Sequence, residues 1–339
     1  MKKYTITVLL VLFLLQGFFA CKKDKNEEKY RVVMLAQGYT FDDLSFLESC
    51  KNGLERAKDD FNLDVAYDID TATNNYYDRI EKYCNQEYDL VITIGYMWVD
   101  AATDASTKYP NSNFLIVDTE IFTAHTNLAS IAFEVDEAAF PLGFLAAWWA
   151  DSHDTVNPST GYVGALRIPQ IRQFSEPYNN GVQYYNQKYS RNVDTVGCYA
   201  GDFFNYNLGK HLTDSLINIG ADIIFGIGSE TGNGALMQAK ENSLVGIGVD
   251  VDQYYSYPEV SDILISSAIK GLDNAIYGVI DYSVNGLFPG AGVYRGRLAN
   301  EGVGMAPFHD FDGNILDSIK TEIENIKTGI MDGSISTGW

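Results

Sequence analysis

Ala221–Gln253, with the sequence ADIIFGIGSETGNGALMQAKENSLVGIGVDVDQ, decides the fold class of this chain. Two short apolar runs, Ile223–Ile227 and Leu244–Val249, flank a segment of helix-forming residues. This order predicts a strand, a helix and a second strand that lies parallel to the first. In open α/β sheets, ligands bind beyond the carboxyl ends of the strands. Gly228 and Asp250 stand at these ends and are therefore candidate ligand-binding residues.

The glycine-rich turn at Gly226–Gly232 has a second interpretation, as the phosphate-binding turn of a dinucleotide site. Asp250 follows Gly228 at about the distance of 20 residues that such sites require. The glycine spacing is G-x-G-x-x-x-G, however, whereas the dinucleotide motif is G-x-G-x-x-G. A tight turn between strand and helix is favoured, and no cofactor is expected.

The same alternation of strands and helices extends outward from this stretch in both directions. We predict the following strands: 29–36, 63–67, 89–94, 113–117, 128–133, 161–165, 193–199 and 262–266. We predict helices up to residue 60 and at 77–84, 137–150, 171–188, 208–219, 271–284 and 315–331. Two α/β alternations therefore follow one another, and a cleft between two such lobes is the default site for a small molecule.

The N-terminus resembles a bacterial export signal. Residues 1–20 carry two lysines followed by an apolar run to Ala20, which is too short for an ordinary transmembrane helix of about 20 residues. Ala20-Cys21 resembles the end of a lipobox, in which the cysteine is lipidated; a plain signal peptide is the alternative. The polar residues 21–29 form a tether. We expect a protein of the cell envelope, anchored by lipid to the periplasmic or the surface face of a bacterial membrane.

Composition limits the ligands and the chemistry. The formal net charge of −21 argues against binding to nucleic acid, whose phosphates would be repelled. The four histidines have no metal-ligand spacing, so no metal site is expected. No nucleophile and base stand in a recognisable pattern, and we do not expect an enzyme. The three remaining cysteines, Cys50, Cys84 and Cys198, are interpreted as small buried apolar residues.

Eight motifs in order carry a resemblance to a known family. The family pattern G-x-x-D-D-x-S-F resembles GYTFDDLSF at Gly38–Phe46, with one extra residue in this chain. The other segments that match family motifs are LVITIG at 90–95, LIVDT at 115–119, NLASIAF at 127–133, AGDFFNYNLGK at 200–210, IGADII at 219–224, VGIGVDVDQ at 245–253 and SAIK at 267–270. The chain resembles the basic membrane protein family of bacterial lipoproteins, the purine nucleoside receptor group of ABC transporter substrate-binding proteins.

The resemblance implies a type I periplasmic-binding-protein fold, an α/β architecture of two Rossmann-like lobes with a ligand cleft between them. The first lobe is expected at residues 30–134 plus 268–286, and the second at residues 135–267 plus 287–339. The family also implies an ABC permease as partner, a nucleoside as ligand and a membrane contact through the N-terminal lipid. We expect a monomer.

The resemblance also implies a set of site residues. A ligand base is expected between Phe46 and Phe203, while Asp250 and Lys270 hold the ribose hydroxyls. The other expected ligand-binding residues are Asp42, Ser45, Asp118 and Gly228. Asp42 has a structural alternative as a cap of the first helix, and the two phenylalanines have one as core residues.

Two departures from the family pattern concern the base. Leu47 stands where the family has an asparagine, and Thr119 replaces an acid. A purine nucleoside is the leading expectation, another nucleoside follows, and a different ligand remains open. Two other function classes are alternatives: a sensor that uses the same cleft, and a nucleoside-processing enzyme.

Overall fold

The computed structural model describes residues 29–72, 74–154 and 156–339. The expected signal peptide, Cys21 and all of the expected tether except residue 29 lie outside these described residues. The chain forms two six-stranded sheets, each covered by helices on both faces. The expectation of an α/β protein with two Rossmann-like lobes is confirmed.

The first sheet has the strand order β11-β5-β4-β3-β1-β2, and all of its pairs are parallel. Its strands are β1 (Arg31–Gln37), β2 (Asp64–Asp70), β3 (Leu90–Ile94), β4 (Asn113–Val117), β5 (Leu128–Phe133) and β11 (Val293–Gly296). The helices of this lobe are α1 (Phe46–Phe61), α2 (Tyr76–Cys84), α3 (Val99–Lys108) and α9 (Leu272–Val284). The central strand β3 is buried along its whole length, as expected for a parallel sheet covered on both faces.

The second sheet has the order β12-β10-β9-β8-β6-β7. Its strands are β6 (Ser159–Gly164), β7 (Asp194–Tyr199), β8 (Ile223–Ile227), β9 (Val245–Asp250), β10 (Leu264–Lys270) and β12 (Val303–Met305). The helices are α4 (Asp136–His153), α5 (Pro169–Tyr189), α6 (Tyr206–Asn218), α7 (Ser229–Glu241), α8 (Gln253–Ser256) and α10 (Asp317–Met331). All pairs are parallel except β10 with β12.

The chain crosses between the lobes three times: after β5, after β10 and after β11. These crossings correct the expected lobe boundaries in two places. Residues 268–270 complete β10 of the second sheet, and residues 293–296 pair with β5 of the first sheet instead of joining the second lobe. The segment from Leu272 to Val284 does return to the first lobe, where α9 packs on α1.

Cys50, Cys84 and Cys198 carry free thiols. Cys50 and Cys84 are buried, as predicted, and they belong to separate apolar clusters. Cys198 is only half-buried, which corrects the prediction for that residue, because β7 is the edge strand of its sheet.

Candidate functional site

A cavity lies between the two lobes where the carboxyl ends of their strands face each other. Its empty volume is about 710 Å³, part of which is open to solvent. Six of the eight ligand-binding residues predicted from the sequence line it: Phe46, Asp118, Phe203, Gly228, Asp250 and Lys270. They come from both lobes and are far apart in the sequence.

The charged centre of the cavity is Lys270, the last residue of β10. Its Nζ atom lies 3.0 Å from Asp118 Oδ1, in the first lobe, and 3.6 Å from Asp250 Oδ1 at the end of β9. Lys270 and Asp250 are each 4% exposed. One ammonium therefore stands between two carboxylates, and the group as a whole carries one negative charge.

In this charged centre, burial and the neighbouring opposite charges shift the pKa values in opposite directions. Burial raises the pKa of Asp118, and the ammonium of Lys270 only partly offsets this. For Lys270, burial disfavours the charged form, but Asp118 and Asp250 outweigh it and raise the pKa above its ordinary value. The ammonium is therefore charged at neutral pH, and it can donate hydrogen bonds to a ligand as well as to its two acids.

Three residues at or just after the strand ends beside the cavity have left-handed backbone conformations. The φ angle is 65° at Asp118, 67° at Asp250 and 45° at Ser229. Such angles are uncommon for residues other than glycine, and they cluster at ligand-binding sites. Gly228 has a φ of 110°, and a Cβ atom there would lie 2.6 Å from that of Ala165 and 3.3 Å from the ring of Phe203. Glycine thus lets Phe203 lie directly against the backbone.

Aromatic rings form the walls of the cavity. Phe46, in the first turn of α1, places its ring centre 5.2 Å from Lys270 Nζ, and Phe174 of α5 lies at 5.1 Å. Phe203 and Phe204 lie on the wall from the second lobe. Sequence reasoning did not identify Phe174, which is 1% exposed and follows the pattern of a core helix residue. The stacking of a ligand between Phe46 and Phe203 stays a prediction.

Two predicted site residues do not line the cavity. Asp42 is exposed and pairs with Lys51 at 2.6 Å, so its carboxylate is neutralised on the surface. Its neighbour Asp43 is instead the buried acid of this loop. The hydroxyl of Ser45 donates to Asp250 Oδ2 at 3.0 Å. Ser45 therefore contacts a residue of the cavity wall and not the cavity itself.

Apart from the charged centre and the aromatic rings, the cavity wall contains both apolar and polar side chains. Leu47, one of the two departures from the family pattern, lines the cavity, whereas Thr119 does not. Gln37 and Gln170 also line it. Gln37 already accepts a hydrogen bond from the hydroxyl of Tyr76 at 2.9 Å. No sequence motif pointed to Gln170; its position in the first turn of a helix that follows a strand was the only available signal.

The described residues contain no group of three or more acidic, histidine or cysteine side chains arranged to hold a metal ion. Within the same residues, no helix has both the length and the apolar character needed to cross a membrane.

The sequence model of the ABC transporter substrate-binding proteins described as PnrA-like matches residues 29–337. A CD4+ T-cell-stimulating antigen of Listeria innocua is 28% identical over 99% of this chain and 98% of its own length. Basic membrane protein A2 of Borrelia garinii is 28% identical over 97% of this chain and 94% of its own. An uncharacterised lipoprotein of Pyrococcus abyssi is 26% identical over 92% of this chain and 78% of its own.

Solved structures of solute-binding proteins share the two-lobed fold. An ABC transporter solute-binding protein of Aeropyrum pernix superposes with a TM-score of 0.84 at 24% identity, over 90% of this chain and 92% of the other. A periplasmic solute-binding protein of Actinobacillus succinogenes, solved with bound D-allose, gives a TM-score of 0.62 at 12% identity, over 85% and 100% of the two chains. At these identities the likeness establishes the fold, in agreement with the expected type I periplasmic-binding-protein architecture.

Proposed function

The chain belongs to the family of PnrA-like ABC transporter substrate-binding proteins, and from this premise we propose that it captures a nucleoside, foremost a purine nucleoside, for uptake by a membrane permease. The single observation that carries the proposal is the Asp118–Lys270–Asp250 group at the cavity wall, in which Lys270 and Asp250 are buried. A carboxylate accepts hydrogen bonds and an ammonium donates them, so a sugar diol satisfies both kinds of group.

The aromatic wall supports a ligand with a planar part. Phe46 and Phe203 line the cavity from different lobes. Stacking on aromatic side chains is independent of the identity of the base, because every base has a π face. A ligand with a polar sugar at one end and a flat base at the other matches this distribution of polar and aromatic groups.

Gln170 supports recognition of the base. Its neighbours on α5 are engaged, since Arg172 pairs with Glu176 and Gln173 donates to Asp136. The side-chain amide of Gln170 makes no hydrogen bond to the protein within the part of the chain that the structure describes, although Gln170 lines the cavity. An amide both donates and accepts, so it can bond either a carbonyl or an amino group of a base. This offsets the loss of hydrogen-bonding capacity at Leu47.

The proposal includes the membrane anchor and the assignment to transport. Relatives in both bacteria and archaea are named as lipoproteins or membrane proteins, which supports a lipid at Cys21 and a place in the cell envelope. A sensor with the same cleft is the alternative, and the genes that flank the locus distinguish the two. A nucleoside-processing enzyme is disfavoured: incubation with a nucleoside should return the ligand unchanged.

Calorimetry with a ribonucleoside and its 2′,3′-dideoxy analogue tests the proposal. A site built to bond hydroxyl groups rejects an analogue without them, because its buried polar groups are left unpaired. We expect the ribonucleoside to bind about tenfold more tightly or better, since hydrogen bonds to charged groups contribute about 1.5–3 kcal/mol each. Asp250→Ala should remove most of this preference.

Asp42→Ala is the matched control, because Asp42 is an exposed acid that does not line the cavity. It should leave both affinities unchanged. Equal affinity of the wild type for the two sugars would remove Asp250 and Lys270 from ligand binding. The absence of binding to any nucleoside, together with tight binding of another compound released from the purified protein, would overturn the ligand class.

A further inference from the structure

The loop Asp43–Leu44–Ser45 of the first lobe is inserted into the second lobe. Leu44 packs against an apolar cluster of the second lobe that includes Leu236, Tyr257 and Val260. Its backbone is left-handed, with a φ of 59°. Leucine adopts this conformation only where its surroundings enforce it, because its Cβ atom then crowds the backbone. Here Leu44 is surrounded by the apolar cluster of the second lobe, and its N–H group donates to Glu48 Oε2 at 3.0 Å.

Polar bonds surround this leucine and connect the same two lobes. Asp43 is 3% exposed, and its Oδ2 atom accepts from the hydroxyl of Ser229 at 2.9 Å. The side chain of Asn233 donates to the carbonyl oxygen of Asp43 at 2.9 Å. The hydroxyl of Ser256 donates to the carbonyl oxygen of Leu44 at 2.8 Å. Buried polar groups that lose such partners carry a penalty, so separation of the lobes here requires water to replace every bond.

The loop also connects to two walls of the cavity. Ser45 donates to Asp250 Oδ2 at 3.0 Å, and the next residue, Phe46, begins α1 and lines the cavity. The other oxygen of Asp43 accepts from the backbone N–H groups of Ser45 and Glu48, both at 3.1 Å, and so fixes the start of α1. One short loop therefore sets the positions of an acid of the second lobe and a ring of the first.

We propose that Asp43–Leu44–Ser45 is an interlobe latch that holds the lobes together in the ligand-free protein and positions Asp250 and Phe46 before a ligand arrives. Leu44, Asp43 and Ser45 act as positioning residues, since they contact other residues of the site and do not line the cavity. The latch must open to admit or release a ligand, so it sets the rate of release. This last consequence rests on the proposed nucleoside function, whereas closure without ligand does not.

X-ray scattering of the ligand-free protein tests the latch directly. The ligand-free wild type should have nearly the radius of gyration of the ligand-bound form. The double variant Leu44→Asn, Ser45→Ala removes the apolar insertion and the bond to Asp250, while asparagine tolerates the left-handed backbone. We expect this variant to have a larger radius of gyration without ligand and the wild-type value with ligand.

Ser229→Ala provides a milder opening of the same latch from the second lobe, because it removes one bond to Asp43 and leaves the start of α1 intact. Since Ser229 also lines the cavity, Ser256→Ala, which removes the bond to Leu44 at a residue that does not line it, must change the release rate in the same direction. Ser215→Ala, at an exposed helix position of the same lobe, is the matched control. With a ribonucleoside as probe, stopped-flow measurements should show release about fivefold faster or more in Ser229→Ala, and unchanged in the control.

Three outcomes overturn the proposal. The first is an open ligand-free wild type, with the same radius of gyration as the double variant. The second is an Ser229→Ala protein with unchanged release, and the third is an equal change in the Ser215→Ala control. Failure of every nucleoside to bind contradicts the proposed function alone, because the scattering comparison of ligand-free proteins does not depend on the ligand. If the double variant does not fold, Ser229→Ala decides both measurements.

Discussion

At the scale of single residues, Asp43 is a buried acid whose pKa is far from its ordinary value. Burial raises its pKa from 3.8 to about 6, although the N–H groups of α1 and the hydroxyl of Ser229 favour the charged form. Between these two values the folded protein holds a proton that the unfolded chain has released. The free energy of unfolding therefore falls as the pH rises through this window.

Asp43→Asn removes this dependence, because an amide does not titrate. We expect the unfolding free energy of the wild type, relative to the variant, to decrease by about 2 kcal/mol between pH 4 and pH 7. Urea unfolding at each pH unit measures the difference, in which the contributions of the other acids cancel. Parallel profiles for the two proteins would show that the pKa of Asp43 is not raised in the folded state.

Phe203 provides a second prediction at this scale. Stacking of a base on an aromatic side chain contributes roughly 1–3 kcal/mol by alanine substitution. Phe203→Ala should weaken binding of a ribonucleoside about tenfold to a hundredfold while the thermal transition is retained. Phe122→Ala is the control, since Phe122 is 85% exposed. Unchanged affinity, or loss of the fold, would assign Phe203 to packing instead of ligand binding.

The sequence identifies most of the polar residues of this cavity, but not the buried acid next to it or the aromatic residue from α5. Glycines and acids at strand ends are visible in the sequence, because strand ends are where parallel sheets bind ligands. The sequence does not tell which of the two acids, Asp42 or Asp43, is buried at the site. One extra residue in the loop shifts the alignment with the family motif. Phe174 was missed because a buried helix residue that touches the cavity has the same pattern as one that does not.

At the scale of elements, the pair α4 and α5 depends on close approach of two backbones. A Cβ atom at Gly143 would lie 1.9 Å from the carbonyl oxygen of Tyr178, and one at Gly181 would lie 2.0 Å from that of Phe140. Such distances are far below van der Waals contact, so the helices must move apart to accept any side chain. Glycine is used here for packing and not for a special backbone angle.

Gly143→Ala should therefore destabilise the protein by about 1–3 kcal/mol, the usual cost of overpacking. Gly278→Ala in α9 is the matched comparison, because no atom lies within 4 Å of the added Cβ there. It should stabilise the protein by roughly 0.5–1 kcal/mol through helix propensity. Chemical denaturation of both variants measures the two effects, and a shift of the same sign in both would contradict this account of the helix pair.

Strands that are apolar runs between turn residues were predictable at this scale, whereas the bounds of the seven-residue strands β2 and β10, predicted at 63–67 and 262–266, were wrong. The bounds of β4, β5 and β8 agree with the sequence prediction, because each is an apolar run bounded by turn residues. The helix α3 (Val99–Lys108) was missed, since only three of its residues are buried and its apolar face is weak. The strands β11 and β12, of four and three residues, are defined by their pairing partners and not by their own sequence.

At the scale of the whole molecule, three chain crossings connect the lobes and one loop fastens them. The crossings follow β5, β10 and β11, and Lys270 stands at the second of them. A rotation of the lobes about these crossings would change the distance between Lys270 and Asp118, which belong to different sheets. A ligand bonded to both residues, as proposed above, would therefore oppose opening of the lobes by a hinge motion.

The membrane anchor is the last prediction, and it concerns residues outside those that the structure describes. The first strand, β1, begins at Arg31, and in the sequence a charged segment lies between it and Cys21. A lipid at Cys21 would therefore hold the protein at a membrane without contributing to its fold. Cys21→Ser should give a folded protein without lipid that binds a ribonucleoside with unchanged affinity.

Labelling of growing cells with a fatty-acid probe, followed by separation of membrane and aqueous fractions, measures the anchor. Wild-type protein should carry the probe and sediment with membranes, because the lipid expected at Cys21 has more than one acyl chain. A single acyl chain would not anchor the protein stably. The Cys21→Ser variant should carry no probe. Cys198→Ser is the matched control, because Cys198 is a free and half-buried thiol of the folded part; it should be labelled like the wild type. Equal labelling of the Cys21→Ser variant and the wild type would place the lipid at another residue. The absence of label from both proteins would show that the protein carries no lipid.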